Sequence, residues 1–183
     1  EPANLGPGWV GFDYGAAFGR PVKMINDAAM QALGSYDGGR MLFLGLGTGL
    51  GSAMVIDGVI APMELGHLPY RKKTYEDYVN TAALERAGRQ KWQNAVFEVV
   101  ELFVAALAPD YVVLGGGNAK ELTELPEGAR LGANENAFAG GFIVQSMLAL
   151  WLFQRFDLST ATAGAIFFWT GLFSALSYLV AVR

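Results

Sequence analysis

The sequence has no cysteine and a single histidine, His67, among its 183 residues. Disulfides and thiolate metal sites are therefore excluded, as is a metal site built from several histidines. Positive charge is also scarce, because 13 lysine and arginine residues are outnumbered by 17 acidic ones and the net charge is −4. This balance gives no electrostatic reason to expect nucleic acid as a partner. The lack of cysteine is compatible with a reducing cytoplasm.

Charge is nearly absent from the end of the chain. Residues 141–183 carry only Arg155, Asp157 and Arg183 as charged side chains. Within them, residues 161–182 form a run of 22 uncharged residues, which is long enough to cross a bilayer at about 1.5 Å per helical residue. We therefore expect a domain over residues 1–141 and a hydrophobic helical tail over 142–183, with 161–182 either a transmembrane segment or a buried core helix.

What the chain does have is hydrophobic and glycine-rich sequence, with 52% hydrophobic residues and 24 glycines. A short strand is predicted over 22–25, and a helix follows it with Asp27 as its N-cap. Residues 41–47 are a continuous apolar run, typical of a strand buried on both faces. Asp57-Gly58 then predicts a hairpin turn between two strands.

The second half of this domain is predicted to be helix, strand and helix in turn. Residues 75–109 are mostly helical, with an interruption at Gly88, an end at Pro109 and a buried apolar stripe from Val96 to Leu107. Residues 110–118 are a buried strand ending in a glycine turn, and 119–125 begin a further helix. Such alternation of strands and helices predicts an α/β domain.

Glycine occupies every second position from Gly45 to Gly51, with Thr48 in the middle. A Walker loop needs Gly-Lys-Ser/Thr and a Rossmann fingerprint needs G-x-G-x-x-G, and neither pattern is present. Both of those motifs open a helix, whereas this loop opens a hairpin. Its amides, with the Thr48 hydroxyl, suit phosphate oxygens. A tight turn with close strand packing is the alternative interpretation.

Seven segments, in order, resemble the ROK sugar kinases over about three quarters of the chain, and within that family the polyphosphate glucokinase branch. They are "NLGPGWVGFD", "VKMINDAAMQALG", "MLFLGLGTGLGSAMVIDG", "MELGHLPYRK", "TYEDYVN", "DYVVLGGGNAKEL" and "LGANENAFAGGF". The resemblance implies an actin-like ATPase (ribonuclease H-like) fold, with residues 1–141 forming part of the large C-terminal domain of such a kinase.

The resemblance also implies an activity, the transfer of a phosphoryl group from polyphosphate or ATP to the 6-hydroxyl of glucose, with Mg²⁺ neutralising donor charge. Asp27 would be the general base. The residues implied to contact the sugar are Asn26, Asp27, Glu64, His67 and Glu76, and those implied to contact phosphates or nucleotide are Gly47, Thr48, Gly49, Gly115, Gly116 and Gly117.

Each of these residues has a simpler reading. Asp27 alone is a good helix cap, and His67 alone suits a surface loop. Glu76 favours the first turn of a helix, and Gly115–Gly117 suit a strand-to-helix turn.

Two departures from the family pattern bear on function. Residues 68–78 contain none of the cysteines that hold zinc in many ROK kinases, so no zinc is expected. No D-x-G-G-T/S motif is present, and the chain begins Glu1-Pro2 without a Met or targeting pattern. We therefore expect a piece of a longer kinase whose smaller N-terminal domain is missing. The alternative function is a catalytically incomplete sugar- or phosphate-binding fragment.

The tail departs from the family too, because residues 143–183 resemble a fragment of a major facilitator transporter. A membrane-associated fusion fragment is therefore a further alternative, with membrane contact through 161–182. The kinase resemblance instead implies a cytoplasmic protein and a homodimer.

Overall fold

The computed structural model describes residue 8 and residues 11–19, 25–133, 136, 139–141 and 162. The strand predicted over 22–25 lies outside these ranges except for Ile25, and the predicted tail lies outside them except for Thr162. Within the described ranges, none of the helices combines the length and the apolar character that a membrane crossing needs.

The described elements are a mixture of helices and strands, which confirms the predicted α/β class. The helices are α1 (Tyr14–Phe18), α2 (Asp27–Ser35), α3 (Glu76–Val79), α4 (Thr81–Ala87) and α5 (Arg89–Leu107). The strands are β1 (Arg40–Leu46), β2 (Leu50–Ile56), β3 (Val59–Met63), β4 (Pro69–Tyr70), β5 (Lys73–Thr74), β6 (Tyr111–Gly115) and β7 (Ala129–Leu131). Short 3₁₀ turns cover Leu65–His67 and Ala119–Glu121.

Five strands form one mixed sheet in the order β3-β2-β1-β6-β7. The hairpin strands pair antiparallel, whereas β1, β6 and β7 run parallel. The register sets Gly45 of β1 beside both Gly51 of β2 and Gly115 of β6. Three strands therefore bring glycine to the same edge of the sheet. Strands β4 and β5 form a separate small hairpin.

The sheet lies between helices, because successive residues of β1 face opposite sides. Met41 and Phe43 pack with Ala28 and Ala32 of α2 on one side. Leu42, Leu44 and Leu46 pack with the helices α3–α5 on the other side. The predicted apolar stripe of α5 is in this second core, since Val96, Val99, Val100 and Phe103 are buried, with Val104 and Leu107 packed against them.

Two local predictions are wrong. Asn26, not Asp27, caps α2: its side chain accepts hydrogen bonds from Ala28 N at 2.8 Å and Ala29 N at 3.4 Å, and Asp27 is the first helical residue. Asparagine and aspartate cap almost equally well, so an adjacent pair leaves the choice to the helix geometry. The helix predicted from residue 119 is only the 3₁₀ turn Ala119–Glu121, since Leu122 is already extended.

Candidate active site

An open cleft of about 420 Å³ lies where α2, the β1–β2 turn and the turn after β6 meet. It is at the carboxyl ends of the parallel strands β1 and β6, the usual place for ligands in open α/β sheets. The cleft is lined by Asp27, Ala28, Gln31, Phe43, Gly45, Gly47, Thr48, Gly49, Gly51, Gly116 and Gly117. The proposed base and most of the proposed phosphate contacts therefore share one cleft.

The start of α2 carries Asp27 into this cleft. The Asn26 cap fixes the first turn, and Asp27 Oδ1 accepts a hydrogen bond from Ala28 N at 2.8 Å. Helix and sheet approach closely here, since a Cβ at Gly51 would lie 3.0 Å from the Ala28 Cβ. The carboxylate of Asp27 is consequently exposed at one edge of the cleft while its backbone is anchored on the sheet.

The glycine turn between β1 and β2 is held from two other elements. The carbonyl oxygen of Gly47 accepts hydrogen bonds from Thr81 N at 2.8 Å, Thr81 Oγ1 at 2.9 Å and Asn118 Nδ2 at 3.3 Å. Asn118 N also donates to the Leu46 carbonyl oxygen at 3.0 Å. The turn is thus held in place by contacts within the protein. Sequence reasoning missed Thr81 and Asn118 because they lie 34 and 71 positions away from Gly47.

The glycines of the cleft differ in whether the fold needs them. At Gly116, φ is +83°, and a Cβ would collide with the backbone of Leu46. At Gly47 and Gly117, a Cβ would meet no atom of the described residues within 4 Å, and φ is outside the left-handed region. The described part of the fold therefore requires glycine at 116 but tolerates alanine at 47 and 117.

The predicted sugar contacts form a second group beside the turn. His67 Nδ1 lies 3.7 Å from Glu64 Oε2, and His67 Nε2 lies 3.8 Å from Glu76 Oε1. Glu76 Oε2 in turn accepts a long hydrogen bond from Leu50 N at 3.4 Å. A Cβ at Gly49 would lie only 2.8 Å from Glu76 Oε2. The glycine at 49 therefore allows Glu76 to lie against the turn between β1 and β2.

Some predicted residues lie away from the cleft wall. Asn26, Glu64, His67 and Glu76 are not among the residues that line it. Gly115 ends β6 beneath the cleft, where a Cβ would lie 2.7 Å from the Phe43 ring. Of the predicted nucleotide glycines, only Gly116 and Gly117 face the open space.

Gln31 is a cleft residue that the sequence did not single out. It is four positions after Asp27, so both lie on the same face of α2. Its Oε1 is buried and has no hydrogen-bond partner among the described residues. Gln31 belongs to no sequence motif, and only its helical spacing from Asp27 could have indicated a place in the cleft.

Displaced pKa values mark the β4–β5 hairpin, which joins His67 to Glu76. Burial, followed by the hydrogen bond to Glu98, raises the pKa of Tyr70 to about 12. Hydrogen bonds from Tyr70 and then Arg71 lower the pKa of Glu98, and the bond to Glu98 raises the pKa of Arg71. A hydrogen bond from the Thr74 hydroxyl lowers the pKa of Asp77.

If donor phosphates bind in this cleft, Mg²⁺ suits it as their companion. Mg²⁺ is usually held by one or two carboxylates together with substrate phosphates and water. Asp27 is the one carboxylate among the lining residues, and no group of three or more potential metal ligands occurs in the described parts of the chain. The residues present thus fit an ion brought by the donor, which would neutralise phosphate charge.

Comparison with known proteins finds several kinases that resemble this chain. The polyphosphate glucokinase of Mycobacterium tuberculosis is 30% identical over 134 residues, which cover 65% of this chain and 51% of that protein. The inorganic polyphosphate/ATP-glucomannokinase of Arthrobacter sp. strain KM superposes with a TM-score of 0.59 at 31% identity, covering 73% of this chain and 60% of that one. This chain is similar to these sugar kinases over about two thirds of its length. No protein-family model matches it.

A further comparison concerns the fold. A ROK family glucokinase from Streptomyces griseus superposes with a TM-score of 0.57, covering 71% of this chain and 70% of that one. Its identity is only 14%, so this likeness concerns the fold. The predicted actin-like ATPase fold of a ROK kinase is thereby confirmed. The chain spans about half the length of this mycobacterial relative.

Proposed function

We propose that this chain is a core segment of a ROK glucokinase, which transfers a phosphoryl group from polyphosphate or ATP to the 6-hydroxyl of glucose. The observation that carries the proposal is one cleft containing both Asp27 and a pre-formed glycine turn. A carboxylate beside an anion-binding turn is what phosphoryl transfer to a hydroxyl needs, because its catalysis is largely positioning and charge stabilisation.

On the donor side, Gly47, Thr48 and Gly49 are the proposed phosphate contacts. The described fold does not need glycine at 47, so an oxygen approaching the backbone is a reason for its small size. Thr48 is exposed in the cleft, where its hydroxyl is placed to donate to a phosphate oxygen. Gly116 and Gly117 are proposed to lie by the nucleotide, and Gly115 supports that turn from below.

On the sugar side, Asn26, Glu64, His67 and Glu76 are proposed to contact the hydroxyls of glucose. Carboxylates accept hydrogen bonds from sugar hydroxyls, and an imidazole both donates and accepts. Asn26 uses its amide oxygen to cap α2, which leaves the amide nitrogen as the group proposed to donate to the sugar.

Asp27 is proposed to accept the proton of the 6-hydroxyl as the oxygen attacks phosphorus. One of its oxygens already accepts the Ala28 amide, and this bond orients the carboxylate. An oriented carboxylate within hydrogen-bond reach of the hydroxyl is the geometry that general base catalysis requires.

The names of the relatives support the choice of substrates. The mycobacterial protein is named a polyphosphate glucokinase. The Arthrobacter protein is named an inorganic polyphosphate/ATP-glucomannokinase. We propose glucose as acceptor here, a homodimer as the assembly and the cytoplasm as the location. The basic loop Arg71–Lys73 gives little support for polyphosphate, because Arg71 pairs with Glu98 and Lys73 with Asp77.

The test is glucose 6-phosphate formation by this chain, with ATP and with polyphosphate in separate assays. Turnover with either donor, together with a raised donor KM in Thr48→Val, is the expected result. Glucose binding without turnover would instead support the alternative of a sugar-binding segment. Absence of both binding and turnover would contradict the proposal.

A further inference from the structure

The two flanking residues of the β4–β5 hairpin are His67 before Leu68 and Glu76 after Tyr75. The base of the hairpin is closed, since Tyr75 N donates to the Leu68 carbonyl oxygen at 3.2 Å. His67 and Glu76 are therefore brought side by side, with 3.8 Å between His67 Nε2 and Glu76 Oε1. Both side chains therefore stand directly at the base of this closed hairpin.

The tip of the hairpin is tied to α5 through a single carboxylate. Glu98 accepts a hydrogen bond from the Tyr70 hydroxyl at 2.5 Å on one oxygen and from Arg71 Nη2 at 2.5 Å on the other. Both oxygens of the carboxylate are thus used by consecutive residues of the hairpin. Charge-assisted hydrogen bonds of this kind are the stronger ones in proteins.

Arg71 occupies a turn position where glycine would be more comfortable. Its φ is +53°, in the left-handed region that is unfavourable for a non-glycine residue. Its guanidinium pairs with Glu98 and lies 5.0 Å from the centre of the Tyr70 ring and 5.5 Å from that of Tyr78. The strained backbone is therefore accompanied by several contacts that only a long cationic side chain provides.

Aromatic packing makes the link between hairpin and helix rigid. Tyr70 is buried, and it stacks on Tyr75 with ring centres 4.4 Å apart and an angle of 13°. Tyr75 then packs on Phe103 of α5 with ring centres 4.6 Å apart. A rigid link of this kind carries the position of α5 to the sugar-contact pair.

We propose that Tyr70, Arg71 and Glu98 form a pin that sets the position of His67 and Glu76 and thereby determines affinity for the sugar. These are positioning residues, acting through the hairpin backbone. The effect on sugar affinity rests on the proposed function, whereas the effect on the position of His67 does not.

The test uses Arg71→Gly and Glu98→Gln in this chain. Arg71→Gly removes the guanidinium while relieving the strained φ, so the turn itself is retained. The matched control is Glu121→Gln. It removes the carboxylate charge of another arginine–glutamate ion pair, Arg89–Glu121 at 2.7 Å, which lies away from the hairpin. Two readouts are taken: the NMR signal of the imidazole, unambiguous because His67 is the only histidine, and the dissociation constant of glucose by calorimetry.

In both pin variants we expect the imidazole signal to shift or broaden and the dissociation constant of glucose to rise about threefold to tenfold, as expected for loss of roughly one hydrogen bond. The control should change neither. The dissociation constant of glucose in the double variant should be no higher than in the more affected single variant, because both substitutions break the same link.

An unchanged imidazole signal in both variants would overturn the pin, whatever the glucose affinity does. A changed signal with unchanged glucose affinity would instead overturn the proposed effect on sugar binding and the sugar contact of His67 together.

Discussion

Gly47→Ala separates what the fold needs from what the ligand needs. A methyl group at this position meets no described atom within 4 Å, and the backbone is not left-handed. Replacing glycine at such a position stabilises a protein by about 0.4–1 kcal/mol, because the unfolded chain loses conformational freedom. The folded protein should therefore be as stable as before, or slightly more so.

Donor binding should respond in the opposite direction. The Gly47 amide itself donates to the Gly49 carbonyl oxygen at 3.1 Å, so a phosphate oxygen beside Gly47 would be bound by donors of Thr48 and Gly49. A methyl group at position 47 would displace that oxygen, and a hydrogen bond to a charged group would be lost. Such a bond contributes about 1.5–3 kcal/mol, which corresponds to roughly a 10- to 100-fold weaker donor affinity. Gly117→Ala, at the other open position, should behave in the same way if the nucleotide extends to it.

The assay is urea unfolding together with binding of ATP and polyphosphate to each variant. Gly116→Ala is the contrasting variant, because its φ of +83° and the collision with Leu46 should lower the free energy of unfolding by several kcal/mol. Unchanged donor affinity in Gly47→Ala would contradict a phosphate oxygen beside Gly47, since nothing would then need the space beside that backbone.

Three further predictions concern the surroundings of the cleft. Thr81→Val should lower the free energy of unfolding by about 1–2 kcal/mol and weaken donor binding, because the hydroxyl bonds both the Gly47 carbonyl and Asn118; Thr81→Ser should restore both quantities. Gln31→Leu should raise the free energy of unfolding by about 1 kcal/mol, measured by urea unfolding, because it removes a buried oxygen without a partner among the described residues. The lowered pKa of Glu98 means that its stabilising effect is present above the ordinary glutamate pKa and is lost as pH falls through the lowered value. Glu98→Gln should therefore unfold with a flatter dependence on pH on the acidic side, and an equally steep one would contradict the shift.

Local patterns predicted much of the fold. The apolar run 41–47 is β1, and Asp57-Gly58 is the hairpin turn, where φ is +50° at Asp57 and +80° at Gly58. Gly88 does separate α4 from α5. These features depend on residues close together in the sequence, so the sequence alone carries them.

The contacts that hold the glycine turn and the hairpin in place could not be predicted from local sequence patterns. Thr81 and Asn118 reach the glycine turn from distant segments, and Tyr70 meets Glu98 across 28 positions. No local periodicity reports such pairings, because they exist only once the helices have packed on the sheet. The cap of α2 was misplaced by one residue for a related reason, since Asn26 and Asp27 are equally good candidates until the helix axis is fixed.

The role of Asp27 is tested most directly by glucose phosphorylation with Asp27→Asn, compared with Asp13→Asn. Asp13 is a matched control, because its carboxylate also accepts a backbone amide at a helix start, at 2.8 Å from Ala16 N, but it is not among the residues that line the cleft. We expect Asp27→Asn to keep its affinity for glucose and donor yet to lose nearly all the turnover of the unaltered chain, whereas Asp13→Asn should keep that turnover. Equal turnover in the two variants would contradict the assignment of Asp27 as the base.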